Sequence, residues 1–115
     1  CAQMEKLTNF ISNKRKVAEI YSNVFQNLDG LRFLSEREDS KSNYWLNTII
    51  LDDASGYSLG ELLKRTNDIG IMTRPAWTPL HLLPIYSNCP KMDLEVTENM
   101  SRRVINIPSS AKLGF

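Results

Sequence analysis

Residues 2–28 read as one long helix whose apolar face is too wide for so short a chain to cover. Met4, Leu7, Ile11, Ala18, Tyr21, Phe25 and Leu28 recur at helical spacing. Phe10, Val17, Ile20 and Val24 broaden that stripe. Asp29-Gly30 ends the pattern, glycine supplying the left-handed position beyond a last turn. Lys14, Arg15 and Lys16 form a mid-helix basic patch, expected to be a solvated face. The chain has 115 residues in all. One side of this helix is therefore expected to pack on a sheet, and the other to meet another domain or chain.

Beyond this helix the chain reads as short alternating elements. Leu31 to Leu34 predicts a strand, and Ser35 to Ser42 a charged turn. Asn43 to Leu51 predicts the clearest strand, rich in aromatic and β-branched residues. Its face of Tyr44, Leu46, Thr48 and Ile50 is expected to point into the core. Asp52-Asp53 at its end reads as a turn cap rather than a catalytic pair. Ser58 and Glu61 have the spacing of a capping box, opening a helix that runs to about Asn67. Ile71 to Arg74 predicts a third strand, Leu94 to Arg103 a helix capped by Asp93, and Val104 to Ile107 a last strand. Two strands joined by a charged turn, with helices between the others, predict an α/β fold. It would be a small, largely antiparallel sheet with helices packed on one face. Residues 1–115 are expected to form a single domain.

Composition narrows the function by exclusion. Fourteen Lys and Arg against thirteen Asp and Glu leave a net charge of +1. That is not the basic balance of a domain built to neutralise nucleic-acid phosphates. No apolar run approaches the roughly 20 residues needed to cross a bilayer, so no membrane partner is expected. Two cysteines make no disulfide framework, and with one histidine they make a zinc site improbable. Reduced thiols in a cytoplasmic protein are the expectation.

Residues 75–92 carry the chemistry. Pro75, Pro79, Pro84 and Pro90 exclude a long helix or central strand there. The result is a stiff loop bearing Trp77, His81, Tyr86 and Cys89. A loop so long in a compact domain is usually functional or disordered, and its leucines argue against disorder. Arg74, Trp77 and His81 are the parts of an anionic-ligand wall. Arginine grips a carboxylate or phosphate with a planar fork, tryptophan stacks on a base or sugar, and histidine donates to an oxygen. The same three residues also fit a structural reading: a core indole, a satisfied histidine and a surface ion pair. Cys89 and His81 lack any residue to orient a thiol–imidazole pair. No phosphate loop or nucleophile elbow is present.

The runs SNYWLN at 42–47, GIMTRPAWTPLHLLPIY at 70–86, NCP at 88–90 and SRRVINIPSS at 101–110 resemble a known family. It is the DegT/StrS-type pyridoxal-phosphate sugar aminotransferases, specifically their C-terminal part. The legionaminic-acid and perosamine branches have similar loops. CAQMEKL at 1–7 is similar to the segment leading into the helix that joins the family's two domains. The resemblance implies the C-terminal domain of a fold type I aminotransferase, with 2–28 as the domain-linking helix and 75–92 as the substrate-side loop. It implies a parent enzyme that moves an amino group, usually from glutamate, onto a keto nucleotide-sugar for surface-glycan biosynthesis. It further implies a homodimer and an N-terminal large domain that carries the cofactor and is not in these residues. Pyridoxal phosphate is thus expected in the parent, and no bound cofactor and no activity in residues 1–115 alone. The first residue, Cys1, also fits a piece of a longer chain. By resemblance Arg74, Trp77 and His81 line the substrate side, Arg74 toward an anionic group. The alternative is a stand-alone α/β binding or dimerisation module for an anionic metabolite.

Overall fold

The computed structural model describes residues 2–53 and 56–114. The helix expected over 2–28 is observed in two pieces, α1 (Ala2–Glu5) and α2 (Leu7–Phe25). The break falls at Lys6, whose amide closes a tighter turn onto the Gln3 carbonyl at 3.2 Å. At the far end Gly30 takes φ 79°, and the chain turns into β1 (Leu31–Phe33).

β1, β2 (Asn47–Leu51), β3 (Arg74–Pro75) and β4 (Val104–Ile107) form one sheet in the order β1-β2-β4-β3, every pairing antiparallel. Cross-strand partners share a face. Leu31 and Phe33, Ile49 and Leu51, and Ile105 and Ile107 therefore make one apolar surface. Tyr21 and Phe25 of α2 pack against it, as do Leu59, Leu62 and Leu63 of α3 (Leu59–Asp68).

This reverses the face expected for β2. The row of Ile49 and Leu51 joins the core cluster, not the row of Tyr44, Leu46 and Thr48. Ile50 is nonetheless 2% exposed, so this part of the strand is covered on both sides. The strand also begins later than expected. Asn43 accepts the Trp45 amide through its side chain at 2.9 Å, and Tyr44 adopts φ 45°, turning 43–46 out of the ladder.

The third strand is shorter than expected because residues 71–73 finish α3 instead. The Ile71 amide donates to the Thr66 carbonyl at 2.8 Å, and Asn67 Nδ2 donates to the Thr73 carbonyl at 3.1 Å. The Thr66 and Thr73 hydroxyls meet at 2.5 Å. Ser58 caps α3 as its spacing predicts, its Oγ accepting the Glu61 amide at 3.4 Å. α4 spans Glu95–Ser101, inside the expected range, and the Asp93 carboxylate accepts the Glu95 amide at 3.0 Å. Not every helix lies on one face. Val96, Met100 and Ser101 of α4 border a cleft with Val104, whose cross-strand partner is Ile50 on the second face.

The basic patch is not a solvated face. Only Lys16 is exposed; Lys14 and Arg15 are half-buried and partnered. The Arg15 guanidinium forks onto both Glu36 carboxylate oxygens and reaches the Ser42 carbonyl at 2.7 Å. Glu36 also accepts the Ser42 amide at 2.6 Å, while its own amide donates to the Tyr44 hydroxyl at 3.1 Å. The Arg15 fork, aided by the Ser42 amide, holds the Glu36 carboxyl down from 4.5 to about 2. A carboxyl depressed on folding stabilises the fold above its ordinary pKa and loses that contribution as pH falls. Glu36→Gln is therefore expected to lower stability at neutral pH, by a margin that shrinks between pH 4.5 and about 2. Urea titrations of both proteins across that range check this; a margin independent of pH contradicts it.

Candidate functional site

The loop after β3 leaves the sheet at Pro75 and makes two short 3-10 turns, Leu80–Leu82 and Pro84–Tyr86. Proline explains both: each turn opens at or just after one, and its fixed φ suits a first turn while its missing amide prevents a longer helix. The loop is thus ordered by local turns and by contacts with α4.

Arg74 lies opposite Asn106 in the β3–β4 register. It is exposed, and its guanidinium makes no hydrogen bond or ion pair among the described residues. The surface ion pair that would explain it structurally is absent among those residues. Its row of the sheet is polar: Asn106 Oδ1 accepts the Thr48 hydroxyl at 3.0 Å. Trp77 is not core; it is 79% exposed. Its indole meets Trp45, itself 62% exposed, at 6.1 Å between ring centres and 42° between planes. His81 is the opposite case. Its side chain is 9% exposed, and Nε2 lies 2.9 Å from Glu98 Oε1.

These three residues do not converge on one cavity. His81 borders a largely apolar cleft of about 490 Å³, with Leu80, Tyr86, Cys89 and Leu94. Trp77 borders an adjoining one of about 360 Å³ with Val96, Met100 and Val104. Pro79 and Thr97 line both and separate them. Arg74 lines neither. Two further participants escape a reading of residue types. Trp45 falls within the expected strand Asn43 to Leu51 but is an exposed partner of Trp77. Glu98 shows no motif, and it reaches His81 from 17 residues away. The one available signal is that a shielded histidine needs a partner, and α4 is the next helix to offer a carboxylate. Among the described residues no group of three or more His, Cys, Asp or Glu could hold a metal ion. Nor is any helix among these residues long and apolar enough to cross a membrane.

A model of the DegT/DnrJ/EryC1/StrS aminotransferase family matches residues 1–114. The chain belongs to this family. EpsN of Bacillus subtilis (strain 168), which bears the name of a pyridoxal phosphate-dependent aminotransferase, is 33% identical over 116 residues. The alignment covers 97% of this chain and 29% of EpsN. GDP-perosamine synthase of Escherichia coli O157:H7 is 33% identical over 112 residues, again with 97% and 29% covered. Among solved structures, PseC of Helicobacter pylori, an aminotransferase involved in the biosynthesis of pseudoaminic acid, superposes with a TM-score of 0.87. At 18% identity, over 97% of this chain and 30% of PseC, that likeness shows the fold alone. The chain thus spans 29% of the length of the curated relatives it matches.

Family membership raises the fit of pyridoxal phosphate to these residues. Its attachment needs a lysine free to react at the cofactor. Lys14 is the half-buried one, and burial pushes its ammonium below the usual range. That ammonium, however, is held by three backbone carbonyls: Ser109 at 2.6 Å, Trp45 at 3.3 Å and Tyr44 at 3.5 Å. It fastens the C-terminal segment and the 43–46 turn to α2. The other six lysines are exposed. Lys14 is thus engaged by backbone and not free to react at a cofactor.

Proposed function

We propose that this chain is the C-terminal small domain of a pyridoxal-phosphate-dependent aminotransferase. The whole protein would transfer an amino group, from glutamate, to a keto nucleotide-sugar used in surface-glycan biosynthesis. The observation that carries this reading is the 33% identity to GDP-perosamine synthase over nearly all of this chain and under a third of that protein. In the whole protein the cofactor supplies the electron sink, while the polypeptide supplies binding and position. The large domain that would hold it lies outside these residues, so residues 1–115 alone are inactive and retain no cofactor. The enzyme works in the cytoplasm as a homodimer.

The exposed apolar side of the first helices supports a covering domain. Met4 is 67% exposed, and Leu7, Phe10, Ile20 and Val24 are exposed with it. Apolar side chains exposed in this number along one helical segment are suited to an interaction surface. Residues 2–28 would link the two domains, and residues 75–92 would face the substrate.

Arg74, Trp77 and His81 are the substrate-side residues in this reading. Arg74 is a cation at the sheet edge without a partner among the described residues, suited to a donor carboxylate or a diphosphate oxygen. A charge-assisted hydrogen bond is worth about 1.5–3 kcal/mol. In the full-length polypeptide, Arg74→Ala is expected to lower kcat/KM for amino transfer by about tenfold or more. Steady-state kinetics with keto nucleotide-sugars and glutamate test this. An unchanged kcat/KM removes Arg74 from the site.

A further inference from the structure

We propose that Glu98 is the positioning residue for His81, fixing its protonation pattern so that the histidine accepts a hydrogen bond from a sugar hydroxyl rather than donating one to a phosphate. The proposal rests on the aminotransferase reading, in which His81 lies on the substrate side.

An ionised carboxylate only accepts hydrogen bonds. With His81 Nε2 at 2.9 Å from Glu98 Oε1, the proton sits on Nε2. A neutral imidazole carries one N–H, so Nδ1 is then a bare acceptor. Nδ1 makes no hydrogen bond among the described residues, and it is not one of the buried polar atoms lacking a partner. It is therefore left for a ligand or solvent. The ring is 9% exposed and stands at the wall of the 490 Å³ cleft, so a ligand there meets a ring that cannot turn freely.

Glu98 also has a cation nearby. Its other oxygen, Oε2, lies 3.7 Å from Arg102, one helical turn along α4. His81 is the partner at hydrogen-bond distance, and Arg102 stands on the carboxylate's other side. Lys91 is the remaining charged residue lining the cleft, whose other walls are mostly apolar. With its proton on Nε2, the ring offers Nδ1 to a hydroxyl donor. At that atom a phosphate oxygen would need a donor in its place. Through Glu98, α4 selects which kind of ligand atom the proline-rich loop can receive.

His81 is the chain's sole histidine, so its ring can be read without ambiguity by 15N–1H correlation on histidine-labelled protein. At about pH 8, where an ordinary imidazole is neutral, a protected N–H is expected on Nε2 and none on Nδ1. Glu98→Ala is expected to lose that protected proton, and Glu98→Gln, which keeps an acceptor, to retain it. A proton on Nδ1, or on both nitrogens, overturns the proposal from the wild-type spectrum alone. A protected Nε2 proton that survives in a folded Glu98→Ala protein overturns it too. In the full-length polypeptide, Glu98→Ala is expected to raise KM for the keto-sugar roughly tenfold while leaving KM for the amino donor unchanged. No change for the sugar, or an equal rise for both substrates, counts against positioning. A full-length wild type without amino transfer overturns the aminotransferase reading instead, and the ring spectrum still decides the Glu98–His81 pairing.

Discussion

Ile105→Ala is expected to destabilise the fold by about 3 kcal/mol, within the range of about 2–5 for truncating a buried isoleucine. Ile105 is 2% exposed and sits on β4 with Ile49 opposite it in β2 and Pro75 opposite it in β3. It therefore joins the short edge strand that leads into the proline-rich loop to the centre of the sheet. Removing its side chain takes away apolar contact on both flanks, and the backbone ladder prevents the strands from closing the gap. A domain of this size commonly has about 5–15 kcal/mol in total, so the loss is a large fraction. Urea unfolding should show a lower midpoint with an unchanged slope. Ile105→Val, which removes one methylene, should cost about 1 kcal/mol. An alanine variant within about 0.5 kcal/mol of wild type would mean that Ile105 is not where the core sits.

Gly114→Ala is expected to release the C-terminal segment from α2. Gly114 is buried with φ −98°, outside the left-handed region that favours glycine. Space is what requires glycine. A Cβ built there would overlap the Asn13 carbonyl oxygen and sit 2.8 Å from the carbonyl carbon. Both are helix backbone, which cannot swing aside as a side-chain tip can. The substitution must push residues 111–114 off the helix or displace the helix, an overpacking loss of about 1–3 kcal/mol. Hydrogen exchange should then quicken at the Leu113 amide, which donates to the Ser110 carbonyl at 3.1 Å. Lys14 grips the Ser109 carbonyl just before this segment, so protection is expected to survive upstream, at the Asn47 amide bound to Ser109 Oγ at 2.7 Å. Unaltered exchange across residues 109–114 would contradict the close packing of Gly114 on the helix.

Local signals in the sequence are legible where one rule acts alone. Ser58 opens its helix because a serine oxygen accepts an orphan amide whatever the surroundings. Val104 to Ile107 is a strand with the expected bounds. The prolines of 75–92 announce an irregular segment, and the structure fills it with short turns. Signals fail where two rules compete. In Asn43 to Leu51 both faces are apolar, so alternation cannot choose between them. The choice is made by Ile105, Ile107, Leu31 and Phe33, which lie far away in sequence. Lys6 interrupts the first helix without any breaker residue. At the candidate site the residue types are legible and their company is not. The Glu98 partner of His81, the Trp45 partner of Trp77 and the separation of the two clefts all arise from tertiary packing. The half-burial of Lys14 and Arg15 has the same origin. A basic triplet on a helix reads as solvated until the carbonyls and carboxylate that meet it are placed.

If these residues are one domain of an aminotransferase whose cofactor site lies elsewhere in the protein, activity and cofactor must both depend on the rest of the chain. Amino transfer from glutamate to keto nucleotide-sugars, with pyridoxal phosphate added, reads this dependence. It should be run side by side on residues 1–115 and on the full-length polypeptide, with cofactor absorbance read after gel filtration. Turnover and retained absorbance are expected in the full-length protein, and neither in residues 1–115. Turnover or retained cofactor in residues 1–115, or a full-length protein that transfers no amino group, would contradict this division of labour.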